Sequence, residues 1–120
     1  MKSLKSKLLV AIVASSTVGL AAAQYVGPSG LQLTTVANVL KTAKDDQKVL
    51  LQGVLLKKIG HEKYEFSDGT GTIRVEIDDV IFPREPIDEK TRVEIAGEFE
   101  KEFTKAPEID VDSIRRVTNQ

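Results

Sequence analysis

Two alternating stretches hold most of the chemistry this sequence could perform. In Thr91–Phe99 (TRVEIAGEF) and the following Glu100, the residues Arg92, Glu94, Ala96, Glu98 and Glu100 alternate with Val93, Ile95, Gly97 and Phe99. In Glu108–Val117 (EIDVDSIRRV), Glu108, Asp110 and Asp112 alternate with Ile109 and Val111. A period of two sends successive side chains to opposite faces of a strand, so each stretch has one wet and one dry face. Paired as a hairpin, these strands would bring Glu94, Glu98, Glu100, Glu108, Asp110 and Asp112 to one side. Such a field draws in cations, whether metal ions, polyamines or cationic peptides. Hard cations prefer oxygen ligands of this kind. Glu94, Glu98, Asp110 and Asp112 are therefore the candidate ligand-binding residues, with no particular metal assigned. The competing reading is the solvated side of two strands. Spaced strand carboxylates rarely converge on one ion, and Lys101 and Lys105 offset the field.

Other chemistries find less support. The chain has no Cys and one His, so no thiolate zinc site is available and no cofactor is expected. That His, His61, sits in a turn, Gly60-His61-Glu62. Ser67 and Asp68 are adjacent, but a nucleophile needs a base in reach and a group that orients the base. Carboxylate pairs such as Asp78-Asp79 would have to flank a cleft to hydrolyse a glycoside, and a small barrel has little room for one. An enzyme is not expected. Single-strand nucleic-acid binding needs a basic groove with exposed aromatics. The wet face of the middle hairpin instead offers Lys63, Glu65, Ser67, Arg74, Glu76 and Asp78, and no aromatic. The pairs Lys57-Lys58 and Arg115-Arg116 read as solvated strand ends. No nucleic-acid partner is expected.

These residues need elements to hold them. Thr34 or Thr35 can cap a short helix whose stripe is Val36, Val39, Leu40 and Ala43, ending near Lys44-Asp45-Asp46. Lys48–Ile59 (KVLLQGVLLKKI) is a long strand with apolar residues on both faces and a bend or bulge expected at Gly53. Lys63–Ser67 and Thr72–Asp78 alternate around the hairpin loop Asp68-Gly69-Thr70-Gly71. Pairing Ser67 with Thr72 sets Phe66 opposite Ile73 and Tyr64 opposite Val75 on the dry face. On the wet face it sets Glu65 opposite Arg74 and Lys63 opposite Glu76. Asp79–Asp88, with Ile81, Phe82, Pro83 and Pro86, is an irregular crossing with room for one helical turn. Its apolar residues either plug one end of the barrel or dock a partner or glycan. One helix and five strands favour an all-β fold, a five-stranded Greek-key barrel of the OB type behind a short N-terminal helix, since closure removes free edges.

The first 23 residues read as a cleavable signal peptide. Lys2, Lys5 and Lys7 precede the apolar run Leu8–Ala14, and Ala21-Ala22-Ala23 supplies the small residues before Gln24. The 16 uncharged residues of Leu8–Ala23 fall short of the roughly 18 expected of a membrane span. Residues 24–33 form a loose Gly/Pro/Ser lead-in and 34–120 the barrel domain. The processed chain would keep 14 basic and 18 acidic residues, a net charge of −4, which gives it no attraction to phosphate or anionic lipid. The expected location is the periplasm, without a membrane span in the mature form.

The segments Val49–Gly53, Tyr64–Asp68, Gly71–Asp78 (GTIRVEID), Val93–Glu98 and Glu108–Asp112 (EIDVD) together resemble the bacterial OB-fold (BOF) family of periplasmic stress-tolerance proteins. The resemblance covers nearly the whole mature chain. It implies a periplasmic OB barrel without enzyme activity that supports tolerance of envelope or chemical stress by binding. The family offers no site motif that maps residue by residue, and the crossing with Phe82, Pro83 and Pro86 departs from its pattern. The function expected is binding of a small, cationic ligand. The alternative is an adaptor for an envelope protein or peptidoglycan.

Overall fold

The computed structural model describes residues 30–118. The expected signal peptide and most of the lead-in lie outside these residues. The chain runs α1 (Val36–Thr42), β1 (Lys48–Gly60), β2 (Lys63–Ser67), β3 (Thr72–Glu76), β4 (Val93–Glu100) and β5 (Glu108–Arg116). The strands close into a barrel in the order β1-β2-β3-β5-β4. All neighbours are antiparallel except β3 and β5, which run parallel over three residue pairs. This is the five-stranded Greek-key barrel the alternation predicts.

The β2–β3 hairpin has the expected register throughout, from Ser67 opposite Thr72 to Lys63 opposite Glu76. Every odd position of β4 from Val93 to Phe99 is buried, as are Ile109 and Val111 of β5. Inside lie Phe66, Phe99, Leu51, Ile77, Ile95 and Ile109, each essentially sealed from solvent. Burying side chains of this size contributes roughly 1.5–3 kcal/mol each. No polar or charged side chain is buried among the described residues.

Several expectations need correction. In β1 only Val49, Leu51, Gly53 and Leu55 are buried, while Leu56 and Ile59 are exposed, so both faces are not in the core. The irregularities fall between Leu55 and Lys57 and between Lys58 and Gly60, not at Gly53. Gly53 answers a different constraint: a Cβ there would overlap the Ser67 carbonyl oxygen and the Phe66 ring. Leu40 is 41% exposed rather than part of the stripe. It borders an open hollow of about 300 Å³ with Ile59, Thr72, Arg74 and Pro107. The crossing after β3 forms turns and bends, not a helical turn. Two prolines in so short a segment explain this, because proline disfavours helical geometry in the residue before it. Ile81, Phe82 and Ile87 pack against the core, and Phe82 stacks on Tyr64 with centroids 5.4 Å apart. The crossing thus lays part of its apolar set onto the barrel, while Val80 is exposed.

The opposite arrangement, loop holding helix, secures α1. Thr35 is the N-cap, its Oγ1 accepting the Asn38 N–H at 3.1 Å. The β2–β3 loop supplies the rest: Asp68 Oδ2 accepts the Val36 N–H at 2.9 Å and Thr70 Oγ1 the Ala37 N–H at 3.1 Å. Three free donors of the first turn are thereby satisfied. Partial burial acts to raise the Asp68 pKa. Hydrogen bonds from the Thr70 hydroxyl and the Val36 and Thr70 N–H groups outweigh it and hold the carboxyl below its ordinary range.

Gly97 faces the Asp110 carbonyl and the Val111 Cα so closely that a Cβ would overlap both. Gly97→Ala should lower stability by about 1–3 kcal/mol in urea unfolding. Gly60→Ala, where a Cβ meets nothing nearer than 3.8 Å, should stay within about 0.5 kcal/mol. Asp68→Ala should cost about 1–2 kcal/mol at pH 7. Because the folded pKa of Asp68 is depressed, its contribution is complete above the unfolded value near 4 and disappears as pH falls through the folded value. The difference between wild type and Asp68→Ala should therefore shrink below about pH 4 in thermal melts.

Candidate functional site

The outward residues of the barrel fall into lateral rows set by strand register. Lys63 of β2 pairs with Glu76 of β3, Glu76 with Asp110 of β5, Asp110 with Glu98 of β4, and Glu98 with Lys48 of β1. One row therefore crosses all five strands as Lys63, Glu76, Asp110, Glu98, Lys48. Three adjacent carboxylates sit in its middle with one ammonium at either end. In the neighbouring row Arg74, Glu108 and Glu100 lie side by side on β3, β5 and β4.

The lysines fold inward over the row. Lys48 Nζ lies 3.0 Å from Asp112 Oδ2 and 3.4 Å from Glu98 Oε2. Lys63 Nζ lies 2.6 Å from Glu108 Oε2 and 3.7 Å from Glu76 Oε1. Hydrogen bonding to Asp112 and Glu98 raises the Lys48 pKa, and hydrogen bonding to Glu108 raises that of Lys63. Asp110 and Glu100 make no ion pair within 4.0 Å among the described residues. Partial desolvation and the negative field of Glu76, Asp112, Glu98 and Glu108 push the Asp110 carboxyl above its ordinary range. Desolvation, followed by Asp110, Glu108, Glu76 and Glu102, does the same to Glu100.

Of the four residues the sequence singles out, three come together and one stands apart. Glu98 and Asp110 are direct cross-strand neighbours, and Asp112 reaches the same Lys48 as Glu98. Glu94 lies four residues from Glu98, about 13 Å along the strand. It is opposite Arg115 and forms an ion pair with it. A bulge at Ala96/Gly97 shifts the register between these two regions. Sequence reasoning missed Glu76, which joins the row only because β5 inserts beside β3. Its alternation with Ile73, Val75 and Ile77 was visible, but the non-local neighbour was not.

The other chemistries can now be placed. Tyr64 and Phe66 are buried inside the barrel and present no face to a base. Ser67 and His61 flank opposite ends of β2, and the Ser67 hydroxyl accepts the Gly69 N–H at 3.2 Å. Among the described residues, no helix is long and apolar enough to cross a membrane.

A closed five-stranded barrel with a charged outer face and a solid apolar interior defines an OB-type domain. The sequence pattern of the family described as bacterial OB fold (BOF) protein matches residues 14–116, and the chain belongs to that family. It is 44% identical to the calcium-regulated OB-fold protein CarO of Pseudomonas aeruginosa, across 89% of this chain and 90% of CarO. It is 38% identical to protein YgiW of Escherichia coli, across 94% of this chain and 97% of YgiW. The solved structure of the hypothetical protein YgiW from E. coli superimposes with a TM-score of 0.69 at 39% identity. That match covers 78% of this chain and 97% of the YgiW chain.

The Asp110 carboxyl has a folded pKa above its unfolded value, so stability is lost as pH rises through that interval and the deficit persists above it. Asp110→Asn should therefore stabilise the protein at pH 7 and low salt, by about 0.5 kcal/mol. The gain should fade in 1 M salt, where the screening length is about 3 Å. Glu94→Gln, which leaves Arg115 unpaired, should give no such gain. Paired urea titrations at two salt concentrations check both.

Proposed function

We propose that this protein is a non-enzymatic periplasmic binding protein that supports tolerance of envelope or chemical stress, and that its ligand is a small cation held on the carboxylate row. The carrying observation is Asp110: a carboxylate set between Glu76 and Glu98, without a cationic partner of its own among the described residues, and raised in pKa. A positive charge above Asp110 would relieve repulsion among three carboxylates at once. Binding therefore draws on electrostatic tension already present in the folded chain. The Lys48 and Lys63 ammonium groups stand at the ends of the row, paired with Glu98 and Asp112 and with Glu76 and Glu108, and leave Asp110 between them open to an added cation. An exported role is supported by the N-terminal pattern of lysines, apolar run and small residues. A stress-related role rests on family resemblance. The name of the P. aeruginosa relative records regulation by calcium, which supports a divalent cation as the first probe.

The test is a calcium titration followed by backbone amide shifts, with spermine in parallel. Shifts centred on Glu76, Glu98 and Asp110 are expected in the millimolar range, weakening severalfold in Asp110→Asn and with added salt. Absence of shifts in that row at ten millimolar calcium would remove the proposal, whatever the extended spermine does.

A further inference from the structure

The geometry points to a separate divalent-metal site at the β1–β2 turn, formed by His61, Glu62 and Asp79 and suited to a borderline d-block ion such as Zn²⁺. One ligand atom from each residue can be chosen so that all lie within 4.8 Å of one another. Donors bound to a common zinc at about 2.0–2.2 Å would be separated by roughly 3–4 Å, so little movement is needed to gather them. His61 and Glu62 occupy the turn itself, whereas Asp79 arrives from the crossing after β3, 17 residues along the chain from Glu62.

Two hydrogen bonds join those segments, one between backbones and one from backbone to side chain. The Ile77 N–H donates to the Glu62 carbonyl at 2.8 Å, and the Asp79 N–H donates to Glu62 Oε2 at 2.8 Å. Glu62 Oε1 then faces His61 Nε2 at 3.9 Å. The two segments are thus already in place, and only the exposed His61 and Asp79 side chains and the half-buried Glu62 carboxylate must adjust. The Asp79 carboxylate accepts no hydrogen bond among the described residues, so no existing bond is lost when it turns.

Donor chemistry decides the class of ion. One imidazole and two carboxylates supply nitrogen with oxygen, which suits zinc and its neighbours. Calcium takes six to eight oxygen ligands and gains little from an imidazole. Three protein ligands, two from the turn and one from the crossing, leave a coordination position for water or for a ligand atom from a partner. This site differs in its residues and in its ion from the carboxylate row, and it stands or falls independently of it.

His61 is the single histidine of the chain, so its ring gives one isolated signal in a proton–carbon NMR spectrum. The natively processed protein would be titrated with zinc chloride and, separately, with calcium chloride. The expected result is movement of the His61 ring resonances by zinc at micromolar concentrations and none by calcium. Asp79→Asn and Glu62→Gln should each weaken the zinc response about tenfold or more, with Asp110→Asn leaving it unchanged. Unaltered thermal melts without metal would show that the variants fold. A zinc response of equal strength in Asp79→Asn and Glu62→Gln would reduce the site to a lone surface imidazole and overturn the inference. So would a ring that zinc does not move, or one that calcium moves equally well.

Discussion

The arrangement depends on one insertion: β5 enters between β3 and β4 and closes the barrel. On one side it makes a full antiparallel ladder with β4, and on the other only three parallel pairs with β3. The backbones approach so closely at the Asp110–Val111 peptide that position 97 has no room for a side chain. Closure seals Val75, Ile95, Phe99 and Ile109 together in the interior. It also forces Asp110 between Glu76 and Glu98 on the exterior. Two adjacent like charges about 5 Å apart cost on the order of 1 kcal/mol in a water-like dielectric. Each sealed side chain contributes more than that. The core therefore wins, and the fold can hold a repulsive row on its surface.

The helix and the crossing are fastened to the barrel by different means. At one end the β2–β3 loop grips the first turn of α1 through Asp68 and Thr70, and Val36 and Val39 fill the opening. Elsewhere on the barrel the proline-bearing crossing brings Phe82 onto Tyr64. Neither attachment uses a disulfide, for the chain has no cysteine. Hydrogen bonds at a helix terminus and one aromatic stack supply what thiol bridges supply in many small exported domains.

Local patterns were legible in the sequence wherever a period of two met a short turn. The β2–β3 register could be written down pair by pair, because one slip would have moved Phe66 and Tyr64 into water and Lys63 and Glu65 into the core. The inward sets of β4 and β5 followed in the same way. What depended on distant segments was not legible. Glu76 was assigned to the wet face correctly, but its place beside Asp110 comes from a parallel pairing between residues more than thirty positions apart. The bulge at Ala96/Gly97 separates Glu94 from the other carboxylates; Gly97 was the available signal, but it was read only as part of the dry face. Asp68 looked like an ordinary loop residue, and its bond to Val36 spans 32 positions. Gly53 was noticed, yet its reason was the Ser67 backbone and not a bend.

A filled interior constrains how such a barrel can bind anything. With most large apolar side chains turned inward, the outer surface of the strands presents mainly charge and hydrogen-bonding groups, Leu56 and Ile59 of β1 being exposed exceptions. Recognition there would work through field and register more than through enclosure. The lateral row fixes the order of charges as basic, three acidic, basic, because the strand order of the closed barrel permits no other sequence of neighbours. A ligand that matches it must be compact and positive at its centre, since an extended cation would meet Lys48 or Lys63 at either end. Selectivity for small cations over long basic chains would thus arise from the same lysines that temper the repulsion in the unliganded protein. An all-carboxylate row would hold cations more strongly and discriminate among them less, and its added repulsion would bear on the three-pair seam between β3 and β5.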